Sequence, residues 1–296
     1  MEAFVMRHEL NFWVLGGDLR QEKLAQLLAE DGHTVHTYAL GEPQEETEGL
    51  YPETSLEHIS RADCVVLPLP VTGEDGGLNA PASPERHPLK PILDRLDPCQ
   101  LLCGGWADNA VRELARARGL TLWDYFDREE LAVANAVPTA EGAVQLAMEH
   151  LPITIHGARV LVLGFGRVGK LTAQRFLALG ARVSVAARRC DQLAWAQASG
   201  LGAERLDRLG GWLCGYDLIV NTVPARVLDR TALEELRHDC LILDLASKPG
   251  GVDLGAAGEL GLTVIWALSL PGKVAPVTAG GAIRDTIYNI LRENGM

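Results

Sequence analysis

Short apolar runs of strand length recur along the whole chain, separated by segments whose apolar residues return every three or four positions. These runs occupy residues 12–15, 34–38, 64–67, 100–103 and 120–123 in the first half, and 160–163, 181–187, 218–221, 241–244 and 264–267 in the second. Runs of this length are typical of strands that helices cover on both faces. The pattern therefore predicts an α/β fold with two doubly wound parallel-sheet domains and a cleft between them.

Helical spacing between the strands completes this plan. Helices are expected near residues 20–30, 109–118, 138–150, 171–179 and 280–292. The helix at 138–150 is expected to start at Pro138. We predict a substrate-side α/β domain over 1–136, a dinucleotide-binding domain over 137–275, and a C-terminal helix over 276–296 that packs back on the first domain. The sequence shows no internal repeat.

Charge and hydropathy exclude several classes of partner. The chain has 296 residues, is 47% hydrophobic and carries a formal net charge of −12, which disfavours nucleic-acid binding. Part of the acidity falls in one stretch without Lys or Arg, predicted to be a solvated loop: Glu42, Glu45, Glu46, Glu48, Glu53 and Glu57. No apolar run approaches the ~20 residues of a membrane span, and no secretory signal is evident. A cytoplasmic protein is therefore expected.

The cysteines and histidines suggest neither disulfides nor a metal site. The six cysteines form no C-x-x-C pair, and Cys64, Cys103 and Cys240 lie in apolar runs. We expect these three to be small buried hydrophobes in a reducing compartment. The eight histidines are scattered without metal-ligand spacing.

A glycine-rich turn joins the strand at 160–163 to the helix that follows it. It reads Gly164-Phe165-Gly166-Arg167-Val168-Gly169. In such a fingerprint the first glycine permits the tight turn and the second lets the backbone approach a pyrophosphate at the helix N-terminus. The third glycine allows the helix to pack closely on the strand. The strand–turn–helix context predicts dinucleotide binding.

The end of the next strand indicates which dinucleotide is bound. NAD sites place an acidic residue there for the ribose 2′-hydroxyl, but this strand ends in Arg188 and Arg189, and the nearest acid is Asp191. Two guanidinium groups suit a 2′-phosphate, which favours NADP over NAD. Further cofactor contacts are expected after the later strands, at Thr222, Val223, Pro224, Ala246 and Ser247.

Several polar residues follow predicted strands and are candidates for the substrate site. We predict Asp18 and Lys248 as catalytic residues, and as substrate-binding residues Arg20, Gln21, Thr72, Thr139, Glu141, Ser269, Lys273 and Thr278. Cations and hydroxyls in a cleft suit carboxylate binding. Two of the candidates have structural alternatives: Asp18 as the N-cap of the first helix, and Thr139 as the N-cap of the helix at 138–150.

Other catalytic classes lack their motifs here. No Ser-His-Asp order, P-loop or zinc motif is visible. The 2-hydroxyacid dehydrogenases share the two-domain plan but use an arginine and a Pro-His pair where this chain has Ser247-Lys248-Pro249 and Ala275-Pro276-Val277-Thr278. The missing histidine argues against carbinol–ketone chemistry, which needs a proton carrier of suitable pKa.

Five blocks of the sequence stand out together: LGGD-x-RQ from residue 15, NAVPTAEGA from 135, GFGRVG from 164, DLASKPGG from 244 and LSLPGKVAPVTAG from 268. In combination they resemble the dipicolinate synthase A subunits of spore-forming bacteria. The last block also resembles methylene-tetrahydrofolate dehydrogenases, but their Tyr-x-x-x-Lys has no match in the first domain. The resemblance extends over nearly the whole chain.

The resemblance implies NADP-dependent oxidation of a dihydrodipicolinate-type intermediate of the lysine pathway to dipicolinate. It also implies a partner, the flavoprotein-like B subunit, together with a place in the mother-cell cytoplasm of a sporulating bacterium and a small dicarboxylate substrate. A homo-oligomer is also expected. Two alternatives stay open: another NADP-dependent dehydrogenase of folate or hydroxyacid type, and a non-catalytic NADP-binding regulatory protein.

Overall fold

The computed structural model describes residues 9–41 and 46–296. Glu42 and Glu45 of the predicted acidic loop lie outside the described residues. The chain divides into two compact units, of which unit 1 comprises Met1–Ala134 with Ala275–Met296 and unit 2 comprises Asn135–Val274. The C-terminal helix therefore belongs to unit 1.

Each unit is built on one six-stranded parallel sheet. The strands are β1 (Asn11–Leu15), β2 (Thr34–Tyr38), β3 (Leu50–Glu53), β4 (Cys64–Val66), β5 (Leu101–Gly104), β6 (Leu122–Asp124), β7 (Arg159–Leu163), β8 (Arg182–Ala187), β9 (Gly202–Arg205), β10 (Leu218–Asn221), β11 (Leu241–Asp244) and β12 (Thr263–Trp266). The sheet orders are β3-β2-β1-β4-β5-β6 and β12-β11-β10-β7-β8-β9. Counted from the first strand of each unit, both orders read 3-2-1-4-5-6, the doubly wound order of dinucleotide-binding folds.

Helices cover both faces of each sheet. They are α1 (Leu19–Glu30), α2 (Leu89–Leu93), α3 (Asn109–Arg116), α4 (Glu129–His150), α5 (Arg167–Ala178), α6 (Cys190–Ala198), α7 (Arg230–Glu234), α8 (Leu254–Glu259), α9 (Leu270–Val274) and α10 (Pro276–Glu293). Two apolar clusters, one on each face, form the core of each unit. The predicted fold class, two doubly wound α/β sheets, is confirmed. Cys64, Cys103 and Cys240 are buried, as expected.

The two units repeat one another in detail, although the sequence showed no repeat. The Gly16 amide donates to Tyr38 O, and the corresponding Gly164 amide donates to Ala186 O, both at 2.8 Å. The carboxylate of Asp63, just before β4, accepts from the first amide of β1 at 2.7 Å. That of Asp217, just before β10, accepts from the first amide of β7 at 2.8 Å. Only backbone geometry and a few such residues are shared, so the structural repetition leaves no internal repeat in the sequence.

The helix predicted to begin at Pro138 begins nine residues earlier, at Glu129. Pro138 lies inside α4, and Thr139 is not an N-cap, since its hydroxyl donates to Asn135 O at 2.7 Å. Buried alanines at helical spacing run through the proline, at 136, 140, 143 and 147. Packing of that alanine face offsets the hydrogen bond that the proline lacks.

One strand was missed in the acidic stretch. β3 pairs with β2 at the edge of the unit 1 sheet, and it contains Pro52. Proline cannot donate to a neighbouring strand, so it is tolerated at an edge. The sequence therefore suggested a loop where an edge strand forms. The short helices α2, α7, α8 and α9, as well as α6 and β9, were also not predicted.

Candidate functional site

The glycine-rich turn of unit 2 has the geometry that a pyrophosphate requires. Gly164 has φ +92°, a conformation that favours glycine. A Cβ on Gly169 would overlap the Gly164 carbonyl oxygen, so the start of α5 packs directly on the turn. A Cβ on Gly166 would meet no atom of the described residues within 4 Å, which leaves this surface open. Each glycine is thus required for a different reason.

The N-terminus of α5 presents amides to that open surface. Gly166 is the N-cap residue, and among the described residues no side chain caps it. The first amides of a helix lack intrahelical acceptors, and they attract an anion together with the helix dipole. The residues present therefore fit the pyrophosphate of a dinucleotide. Lys170 lies one turn further on, with its ammonium 5.8 Å from the Phe165 ring centroid.

Both arginines after β8 are exposed. The Arg189 Nε donates to Asp191 at 2.9 Å, and its Nη2 contacts the other carboxylate oxygen. The hydrogen bond from Arg189 lowers the pKa of Asp191. Asp191 therefore stays ionised and partly neutralises the cation that was predicted to bind a 2′-phosphate.

Two buried side chains missed by the sequence analysis join the loops after β10 and β11. Asn221 and Asp244 are 0% and 1% exposed, and the Asn221 amide donates to the Asp244 carboxylate at 2.7 Å. Asn221 also bonds Val223 in both directions, through Val223 O at 3.0 Å and Val223 N at 3.1 Å. The carboxylate of Asp244 accepts from Ala246 N at 3.1 Å and Gly251 N at 2.7 Å. The sequence signal that could have identified both residues is a polar residue at the end of an apolar strand.

The residues proposed after these strands sit on the same framework. The Thr222 hydroxyl donates to Leu163 O at 2.8 Å, which fixes it against the glycine turn. Ala246 is buried, and its carbonyl accepts from the Trp266 indole at 2.9 Å. Ser247 and Lys248 are exposed at the tip of the loop, and Lys248 precedes a cis peptide bond to Pro249.

In unit 1 the corresponding turn is filled by side chains. Asp18 caps α1 by accepting from Arg20 N at 3.0 Å, which confirms its structural alternative. The Arg20 guanidinium is buried against the same carboxylate, at 2.9 and 2.7 Å, and it also donates to Leu69 O at 2.9 Å. Gln21 donates to Leu67 O at 3.0 Å. These contacts account for all three residues without a ligand.

The remaining candidates are dispersed over both units. In unit 2, Glu141 lies 3.5 Å from Arg175, Ser269 is exposed with φ +58°, and Lys273 is exposed on α9. In unit 1, Thr72 is half-buried and bridges to Leu78, while Thr278 is exposed in the first turn of α10. Within the set, Asp18 contacts both Arg20, through their ion pair, and Gln21, whose backbone amide donates to Asp18 O at 2.8 Å.

Trp106 was also missed and stands out by its backbone. It has φ +52°, a strained conformation for a bulky residue, and its side chain is 54% exposed. The buried carboxylate of Asp124 enforces this conformation by accepting from Trp106 N at 2.9 Å and Ala107 N at 2.8 Å. The partner that holds the turn lies 18 residues further along the chain, so no local signal marks it.

Metal and membrane sites were considered over residues 9–41 and 46–296. Within them, no group of three or more His, Cys, Asp and Glu side chains is arranged to hold a metal ion. None of the helices in that part of the chain has the length and hydropathy needed to cross a membrane.

The strand order, the glycine turn and the open α5 N-terminus define unit 2 as the nicotinamide-dinucleotide-binding domain of a dehydrogenase. Residues 132–246 accordingly match the family model of the D-isomer specific 2-hydroxyacid dehydrogenase NAD-binding domain. Residues 11–126 match the model of the N-terminal domain of the dipicolinate synthase A subunit.

Whole-chain comparisons identify the family. The chain is 33% identical over 287 residues to the dipicolinate synthase A subunit of Bacillus subtilis, covering 96% of each protein. It also matches the crystal structure of the A subunit from Bacillus halodurans, at 31% identity and a TM-score of 0.88 over 95% of this chain and 97% of that one. The crystal structure of the Bacillus subtilis A chain matches at 33% identity and a TM-score of 0.87, over 98% of this chain and 98% of that one. The chain belongs to the family of dipicolinate synthase A subunits, which confirms the resemblance.

Proposed function

We propose that this protein oxidises a dihydrodipicolinate-type intermediate to dipicolinate with NADP as the hydride acceptor. The observation that carries the proposal is the 33% identity over 96% of the chain to a dipicolinate synthase A subunit. The open, uncapped N-terminus of α5 supports dinucleotide binding. The family membership also favours this reaction over folate or hydroxyacid oxidation.

The proposed reaction removes a hydride from one ring carbon and a proton from the same ring, leaving an aromatic pyridine. Aromatisation favours hydride loss, so the protein has mainly to hold and orient the ring. A bound nicotinamide would take the hydride. Lys248 and Lys273, with the hydroxyls of Ser269 and Thr278, are the proposed partners of the two carboxylates. Thr139 is proposed only as a neighbour of the substrate, because its one hydroxyl proton is donated to Asn135 O.

The candidates of unit 1 enter this proposal with narrower roles. Arg20 uses its Nε and Nη2 to bind Asp18 and Leu69 O, so only its Nη1 is proposed to reach a carboxylate. Both oxygens of Asp18 already accept from Arg20, which favours a structural role over proton acceptance. Gln21 and Thr72, together with Glu141 of unit 2, are proposed only as neighbours of the substrate.

NADP is proposed rather than NAD because of the exposed guanidiniums after β8. Arg188 and Arg189 supply cations where an acid would mark an NAD site. Replacing both with alanine should lower NADP affinity about tenfold or more and leave NAD affinity nearly unchanged. Arg182, exposed at the opposite end of β8, is the matched control, and its alanine variant should bind both dinucleotides normally. Equal affinity of the unmutated protein for NADP and NAD would contradict the proposal.

The relatives are named as the A subunit of a synthase, which supports the presence of a second subunit. We propose that this protein also works with a B subunit. A homo-oligomer and a mother-cell cytoplasmic location belong to the same proposal. The test is an assay of NADPH formation on freshly prepared lysine-pathway intermediate, with and without the second subunit. Turnover of hydroxyacids or a reduced folate instead would support the other dehydrogenase class. NADP binding without hydride transfer in every combination would support a regulatory protein.

A further inference from the structure

The buried Asn221–Asp244 pair has no counterpart in unit 1, although the strands that carry it do. The strand registers pair Val66 with Cys103 in unit 1 and Val220 with Leu243 in unit 2. The next positions are Leu67 and Gly104 in unit 1, where unit 2 has Asn221 and Asp244. The same strand order therefore forms with an apolar residue and a glycine at these positions.

A buried carboxylate costs free energy unless hydrogen bonds compensate it. Here the compensation is complete, because Asp244 accepts from the Asn221 side chain and from the amides of Ala246 and Gly251. Two of these donors lie in the loop after β11, and the third, the Asn221 side chain at the end of β10, also holds Val223 in the loop that follows. The pair thus fixes the conformation of two loops. Pairing of the strands themselves does not require this.

The glycines of the second loop show how closely it is held. Gly250 has φ +82°, and a Cβ on it would lie 2.9 Å from the Asp244 carboxylate. A Cβ on Gly251 would overlap the Asn221 amide and lie 2.8 Å from Val223 O. The SKPGG segment therefore packs its backbone directly on the buried pair.

These two loops belong to the half of the sheet that takes the nicotinamide end. In a doubly wound dinucleotide fold, the first three strands hold the pyrophosphate and adenosine ribose, and the dinucleotide extends across to the second half. In unit 2 the second half begins with β10. A Cβ on Gly164 would lie 2.5 Å from Thr222 Oγ1 and 3.0 Å from Val223 Cγ2, so the loop after β10 borders the glycine turn.

We propose that Asn221 and Asp244 are positioning residues for the nicotinamide ring of the dinucleotide. They hold the loops after β10 and β11 in the one arrangement that the nicotinamide ring contacts, and they act through the backbone rather than by touching the ring. The inference rests on the proposed function only for the presence of a nicotinamide dinucleotide and requires no particular oxidised substrate.

The test compares NADP⁺ with 2′-phospho-ADP-ribose, the same molecule without nicotinamide. Asp244→Asn keeps the size of the side chain. It replaces one carboxylate oxygen, which accepts a hydrogen bond from a neighbouring N–H, with an NH₂ group that can only donate. We expect NADP⁺ affinity to fall about tenfold or more, and affinity for the fragment to stay within about twofold. Equal losses for both ligands, or no loss for either, would overturn the proposal, as would wild-type protein that binds the two equally or binds neither.

Asp217→Asn is the matched control. It removes a carboxylate at the opposite end of β10 from Asn221, and its counterpart Asp63 makes the same backbone contact in unit 1. This variant should preserve the affinity ratio of the two ligands. If it reduces the ratio as Asp244→Asn does, general damage to the sheet explains the effect and the proposal fails.

A second measurement uses the wild-type protein and does not depend on the variant folding. Hydrogen exchange of the Ala246 and Gly251 amides should slow more with saturating NADP⁺ than with saturating 2′-phospho-ADP-ribose, because only the former contacts the loops that carry them. Equal slowing by both ligands would overturn the proposal. Neither experiment measures hydride transfer. The positioning role and the proposed oxidation can therefore fail independently of each other.

Discussion

The first βα turn of unit 1 and that of unit 2 share a backbone and differ in their side chains. Each follows a five-residue strand and leads into a 12-residue helix. Where unit 2 has Gly166 at the N-cap, unit 1 has Asp18, and where unit 2 has Gly169, unit 1 has Gln21. A carboxylate at the N-cap satisfies the amides that would bind a phosphate and repels the phosphate itself. A common backbone thus leaves helix amides open in unit 2 and is filled by side chains in unit 1, and very few residues make the difference.

The loops at the ends of the middle strands differ in the same way. Unit 2 ties them with Asn221 and Asp244, whereas unit 1 has Leu67 and Gly104 and ties its loop from α1, through Arg20 and Gln21. Both arrangements are buried and hydrogen-bonded. The difference lies in the first βα turn. In unit 2 the amides at the N-terminus of α5 are left open, whereas in unit 1 side chains fill the turn.

The largest expected effect on dinucleotide binding separates the two glycines of the unit 2 turn. Gly169→Ala should lower the free energy of unfolding by about 1–3 kcal/mol, because its Cβ would overlap a backbone oxygen that cannot move aside. Gly166→Ala should cost less than about 1 kcal/mol, as a weaker N-cap, yet abolish measurable dinucleotide binding. Denaturant unfolding and fluorescence titration with NADPH measure the two effects. Normal binding by Gly166→Ala would place the pyrophosphate elsewhere.

Asp18→Gly gives unit 1 the N-cap glycine of unit 2 and tests whether that residue alone decides binding. It removes the helix cap and the carboxylate that pairs with the buried Arg20, which keeps its contact with Leu69 O, so unfolding should be easier by about 2–4 kcal/mol. Gln21 still fills the position of the third glycine. Calorimetric titration should therefore show no additional dinucleotide site. A second equivalent of bound NADP would contradict this account of unit 1.

The contact between the Asp217 carboxylate and the first amide of β7 should be sensitive to acid. Partial burial of Asp217 acts to raise its pKa, but hydrogen bonds from the Arg159 amide and the Arg237 guanidinium outweigh this and hold the pKa below its usual range. A depressed pKa contributes stability above the unfolded value of about 4 and loses it as the pH falls further. Asp217→Asn should therefore be less stable than wild type at pH 6, by about 1 kcal/mol. The gap should close towards pH 2; a constant gap would show that the charge is irrelevant.

The smallest expected effect concerns the residues after β8, where unit 1 has Leu40 and Gly41 in place of two arginines. Asp191→Asn releases Arg189 from a carboxylate that also repels phosphate. NADP affinity should rise about two- to threefold, since exposed ion pairs are weak, and NAD affinity should stay the same. Fluorescence titration at low salt measures both. Weaker NADP binding would mean that Asp191 orients Arg189 for the phosphate.

The sequence alone determined the fold class and the dinucleotide turn, because both depend on local signals. Apolar runs mark parallel strands wherever they fall, and Gly164 and Gly169 of the GFGRVG turn each answer to a constraint of the turn's own backbone. The family resemblance also followed from contiguous blocks such as SKPGG. These signals can be recognised without knowing which residues far apart in the sequence come into contact.

Only the tertiary structure decided the roles of residues whose partners are far away in sequence. Asp18, Arg20 and Gln21 form a polar cluster after a strand, but Arg20 and Gln21 reach backbone carbonyls more than forty residues away. Asp244 ends an apolar strand, yet its partner Asn221 lies 23 residues earlier. The start of α4 was misplaced because Pro138 is a local stop signal, whereas the packing of buried alanines beyond it is not local. Whether a polar residue is bound inside the protein or left for a ligand depends on such contacts, which composition and spacing do not encode.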